Sequence, residues 1–179
     1  MSRVLTGTAC AIAVIALSAC GSSAPSAADT ATASFKAELI HQSASSASPF
    51  AFSDAQAQCT AHRVVTSVGT APLQSYGLLN AENQATSKTL NDARLSAKDA
   101  TSVVNAIIDC LGSANVTKAL SDAIGKTIKG ARTAAQRTCL ESKLTIKALK
   151  PMLIATLSGD QAAGQAFAQN LLSCMSLKR

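Results

Sequence analysis

The chain has 179 residues, a formal net charge of +6 and very few aromatic side chains: no Trp, one Tyr and four Phe. That length suffices for one domain with a real core, and Ala, Leu, Ile and Val have to supply it, which favours helices. There are only ten acidic residues, and the sequence carries no Gly-x-Ser-x-Gly elbow, no His-Glu-x-x-His pair and no phosphate-binding loop, so the enzyme classes that need those motifs are excluded.

In chain order the first element is a leader. Arg3 precedes an unbroken apolar run over residues 9–17, too short to cross a bilayer as a mature helix. The run closes on Leu17-Ser18-Ala19-Cys20, which resembles the lipobox of bacterial lipoproteins. The resemblance implies that residues 1–19 are a signal peptide, that cleavage falls just before Cys20, and that its thiol is diacylated. Two or more acyl chains anchor stably, at about 0.8 kcal/mol per buried CH2. The expected location is therefore the extracytoplasmic face of the cell membrane.

Residues 20–50 read as the lipidated cysteine and a Ser/Ala/Thr-rich tether with Pro25 and Pro49. Such a composition buries too little apolar surface to offset its ordering entropy. A flexible chain of about 30 residues spans roughly 30 Å, enough to hold a domain off the membrane. Inside it, Phe35, Leu39 and Ile40 could share one side of a helical turn or two.

Residues 51–179 read as an all-α domain. Ser53 and Gln56 form a capping-box pattern, with Phe52 as a hydrophobic staple, and the helix they open stops at Gly69. Pro72 starts a short helix ended by Gly77, and the order of the polar run over 80–92 stays open. Ser96 and Asp99 open the next helix, whose apolar stripe is Ala100, Val103, Val104, Ile107 and Leu111. A connecting helix carries Val116, Leu120, Ala123, Ile124 and Ile128, broken or ended near Gly125 or Gly130. A helix over about 131–144 follows, the chain restarts at Thr145 or Pro151, and Asp160 caps a last helix lined by Ala163, Phe167, Leu171 and Cys174.

Cys10 leaves with the leader and Cys20 is lipidated, so Cys59, Cys110, Cys139 and Cys174 remain. An even count in an oxidising compartment reads as two disulfides, with three connectivities open. The context of Cys110 (Ile107-Ile108-Asp109-Cys110-Leu111) matches that of Cys174 (Leu171-Leu172-Ser173-Cys174-Met175), and each follows a cysteine that opens a helix. In an antiparallel pair, a cysteine early in one helix meets one late in the next. This duplication favours Cys59–Cys110 and Cys139–Cys174, and a helical bundle of two disulfide-stapled, hairpin-like units. A zinc site is disfavoured, because no Cys-x2-Cys pair exists and His62 is the only histidine in the folded region. No metal or cofactor is expected.

Lys118, Lys126, Lys129, Arg132, Arg137, Lys143, Lys147 and Lys150 face only Asp122 and Glu141 between 118 and 150. This is either a solvated face or a surface drawn to anionic headgroups or wall polymers near the anchor. Nucleic acid is excluded as a partner, since no aromatic residue there offers a stacking platform.

The Cys139-Leu140 opening, the Ala155-Thr156-Leu157-Ser158-Gly159-Asp160 turn and the Leu171-Leu172-Ser173-Cys174 close resemble small Ala-rich helical domains of actinobacterial exported lipoproteins. The resemblance implies fold and location and transfers no active residue. The expected role is a non-enzymatic interaction or structural domain. The alternative is a carrier for an apolar ligand, lipid or haem, with His62 and Tyr76 as its candidate polar groups. A hydrolase would need His62 as base, since His41 sits in polar, Ser-rich sequence.

Overall fold

The computed structural model describes residues 24–44, 49–127 and 133–176. The leader, Cys20, Ile128, Lys129, Gly130 and Arg132 lie outside them. Among the described residues the chain forms eight helices and no strand: α1 (Ala27–Ala44), α2 (Asp54–Val68), α3 (Thr70–Ser75), α4 (Ala97–Leu111), α5 (Ser113–Thr127), α6 (Ala134–Lys143), α7 (Ile146–Ser158) and α8 (Gln161–Met175).

The first helix corrects the tether expected over 20–50. Residues 27–44 are helical and docked, with Ala31, Phe35 and Leu39 buried. Those three residues recur every four positions and so make one narrow stripe, while Ala elsewhere favours the helix at no side-chain cost. α1 packs chiefly on α2. Burying Phe35 and Leu39 contributes about 1.5–3 kcal/mol each. Averaged composition hides this, because a stripe of three residues suffices when another helix supplies the opposing face.

From α2 onward, local signals and structure agree closely. The Ser53–Gln56 capping box forms, and Gly69 ends α2 at φ +92°. Ser96 caps α4, Thr133 and Gln136 make a second capping box on α6, and the Asp160 side chain accepts the Ala163 N–H of α8. The restart falls at Thr145, so Pro151 lies inside α7. The connecting helix α5 runs through Gly125 without a break. The polar run over 80–92 is organised by short-range bonds. Leu79 and Ala85 form an antiparallel bridge, the Asn80 carboxamide oxygen accepts the Glu82 and Gln84 N–H groups, and the Thr86 hydroxyl donates to the Gly77 carbonyl.

Two disulfides staple the bundle, Cys59–Cys110 and Cys139–Cys174, with Cα separations of 5.7 and 5.6 Å. Each joins the first and last helix of a three-helix unit, α2–α3–α4 and α6–α7–α8, so a third helix separates the stapled pair in the chain while the pair itself packs directly. The two units share one register. Cys59 and Cys139 are each the sixth residue of a helix opened by a capping box, and Cys110 and Cys174 are each the fourteenth residue of a side-chain-capped helix. The helices pack in the order α1, α2, α4, α7, α8, α6, with α5 against α4 and α7. One continuous core runs through this stack, from Phe35 through Val64, Val103 and Leu149 to Leu171.

Candidate functional site

The antiparallel pairing of α2 and α4 leaves a groove on their outer side, walled mostly by polar residue types. Its volume is about 550 Å³, and its walls are His62, Arg63, Thr66 and Ser67 of α2 with Ser102, Asn105, Ala106 and Asp109 of α4. The disulfide sets the register: one turn beyond Cys59, Arg63 faces the residue before Cys110. The Arg63 guanidinium Nη1 donates to Asp109 Oδ2 at 2.7 Å. Both side chains are about half exposed, so this pair contributes little to stability. The Ser67 hydroxyl donates to the Arg63 carbonyl.

His62 is exposed on the groove rim. Among the described residues no hydrogen bond ties it to Thr66, Ser67 or Ser102, so it does not form a nucleophile–base pair in this structure. The nearby Asp29, in the first turn of α1, is held below the usual carboxylate range, chiefly by the Ser26 hydroxyl and backbone N–H and to a lesser degree by the His62 charge. Ala106 is the one apolar wall residue.

Tyr76 is placed elsewhere, at the end of α3, and its hydroxyl is already engaged. It donates to Asp99 Oδ2 at 2.6 Å and accepts the Ser96 backbone N–H at 3.1 Å. Ser96 Oγ donates to the same carboxylate oxygen at 2.8 Å. The Tyr76 bond is the main cause of a lowered Asp99 pKa; burial opposes it, and the Ser96 bond lowers it by less than burial raises it. Tyr76 is thus a clasp on the amino-terminal end of α4, and the structure does not bring it together with His62. His41 is exposed in the last turn of α1.

The basic residues spread over three helices. Lys118 pairs with Asp122 at 2.8 Å on α5, which raises the lysine's pKa. Arg137 and Lys147 are exposed, while Lys143 and Lys150 are half-buried. Among the described residues no group of three or more His, Cys, Asp or Glu gathers to hold a metal, and no helix is long and apolar enough to cross a membrane.

Arg63 and Asp109 escaped the sequence reading, although the signal was present. Once Cys59 and Cys110 are taken as partners in an antiparallel pair, position 63 must lie opposite 106 to 109. Fold and bridges together define a small, all-α, disulfide-containing domain. No family model, curated protein or solved structure matches the chain.

Proposed function

We propose that this chain is an exported lipoprotein, anchored through Cys20 on the extracytoplasmic face of the cell membrane, whose helical domain works by binding rather than by catalysis. The observation that carries this reading is the pair of disulfides in so small a domain, since such bridges persist in oxidising compartments and are rare in the cytosol. The charged, apolar and Leu-Ser-Ala-Cys pattern of residues 3–20 supplies the matching route and anchor. The binding reading draws on the sequence, whose recognisable motifs are structural: caps, turns and paired cysteines. The basic residues between 118 and 150 suit an anionic partner among headgroups or wall polymers.

Expression of the full chain and of Cys20→Ala in a bacterium with lipoprotein processing tests the anchor. The wild type partitions with membranes and gains the mass of its acyl chains, whereas the variant is released or left unprocessed. An acylated, membrane-bound Cys20→Ala product contradicts the assignment.

A further inference from the structure

We infer that the anchor seats the domain at the bilayer surface, with the amino-terminal end of α1 turned toward the lipid headgroups, rather than holding it out across the cell wall. The inference rests on the anchored reading above and deepens it. Only residues 21–26 separate Cys20 from Ala27, the first residue of α1. A chain advances at most about 3.6 Å per residue, so Cys20 lies within about 25 Å of Ala27 whatever path it takes. A tether reaching Pro49 would allow a far longer excursion, but α1 removes that length by packing on the bundle.

The helix is fastened along its whole course. Ala31, Phe35 and Leu39 are buried. Ser34 Oγ accepts the Ala85 N–H at 2.7 Å, Lys36 pairs with Asp54 at 2.8 Å, and Ser43 Oγ accepts the Phe52 N–H at 3.1 Å. These contacts also fix direction. Ser43, late in α1, meets Phe52 just before α2, while Lys36, two turns earlier in α1, meets Asp54 inside α2, so the chain turns back and the helices run antiparallel. The anchored end of α1 therefore lies beside the carboxy-terminal half of α2, where His62, Arg63, Thr66 and Ser67 border the groove. Asp29 and Asp109 outweigh Arg63 there by one charge, beside hydroxyl, amide and imidazole groups. That surface fits a hydrated headgroup layer by hydrogen bonding rather than by net charge. α6, with Arg137 and Lys143, stands at the opposite end of the packing order, so in this orientation the basic stretch is left to wall polymers rather than to headgroups.

Neutron reflectometry of the mature, acylated protein in a supported phosphatidylglycerol–phosphatidylethanolamine bilayer tests the inference. Protein density should begin within about 25 Å of the headgroups. Inserting twelve Gly-Ser residues after Ser23 leaves the fold untouched and should raise the domain by about 10 Å. A water-filled gap wider than about 25 Å in the wild type, or a height unchanged by the insertion, overturns it. Acylated protein that forms a layer but sits high refutes this inference alone. Protein that forms no layer removes the anchor, and the inference with it.

Discussion

The backbone N–H of Leu95 donates to the carbonyl of Leu157 at 2.8 Å, joining the entry of α4 to the exit of α7. Leu157 lies in the last turn of α7, where carbonyls lack helical partners, so the first unit completes the end of a helix in the second. Beside this bond Gly159 sits at φ +76°, which lets the Asp160 N–H return to the Ala155 carbonyl at 2.8 Å. Arg94, itself at φ +46°, lies over Gly159.

Gly159→Ala should lower stability by about 1 kcal/mol, because an L-residue resists that conformation. A Cβ there would sit 3.5 Å from Arg94 Cγ, an ordinary contact, so the cost is conformational rather than steric. Gly125, inside α5 with nothing within 4 Å of such a Cβ, is the control: Gly125→Ala should gain about 0.5–1 kcal/mol. Urea midpoints shifting in opposite directions at constant slope check both. A Gly159→Ala midpoint at or above wild type contradicts the account of the joint.

The second staple should matter more locally than the first. The bridges close separations of 51 and 35 residues, and loop-closure entropy gives each about 4 kcal/mol. The first unit also holds Val64, Leu73, Val103 and Val104 with no exposure at all, whereas only Leu149 and Cys174 are so enclosed among the apolar residues of the second. Cys139→Ala with Cys174→Ala should therefore speed amide exchange in α6 and α8 while α2 and α4 stay protected. Uniform acceleration across all helices would show that the two units open as one.

Much of this architecture was legible because its signals are local. Ser53 and Gln56, Ser96 and Asp99, Gly112 and Asp160 each act within a few residues of chain, and the duplicated cysteine contexts encode a pairing that needs no long-range guess. What was not legible depended on contacts between distant segments. α1 is a helix because α2 offers Phe35 and Leu39 a face. The 80–92 run is ordered partly because Ser34 takes the Ala85 N–H. The Tyr76 hydroxyl has partners because α3 ends beside Ser96 and Asp99. Of the groove, only His62 stood out in the sequence, as the one histidine of the region. Arg63 and Asp109 look like ordinary surface charges until the disulfide register sets them opposite each other.

Thr60 is fully buried in α2 among Ala57, Ala61 and Val64, and its hydroxyl has no hydrogen-bond partner in this structure. A buried, unsatisfied hydroxyl costs about 1–3 kcal/mol, so Thr60→Val, which keeps the branched shape, should raise stability by about 1 kcal/mol. Thr60→Ser keeps the hydroxyl, opens a methyl-sized void and should lower stability by a similar amount. Thermal unfolding of the two variants is the check. A destabilised valine variant would mean that the hydroxyl has a partner in solution.

Tyr76→Phe should couple the helix clasp to pH. The Tyr76 and Ser96 hydroxyls hold Asp99 below its usual carboxylate range, so the folded state favours the ionised form. A group with a depressed folded pKa contributes its stability above the unfolded value, about 3.9 for Asp, and loses it as pH falls through the folded value. Removing the phenol removes the larger of the two bonds and leaves the Ser96 N–H to water. The variant should be less stable by about 1 kcal/mol at pH 7, discounted from a fully buried charged bond because Asp99 is partly exposed. That difference should begin to shrink below about pH 4, where Asp99 of the unfolded chain takes up a proton that the folded wild type still resists. Urea midpoints for both proteins at pH 7 and pH 3 measure the effect. A gap of equal size at the two pH values would show that the bond stabilises the helix entry without preferring the carboxylate.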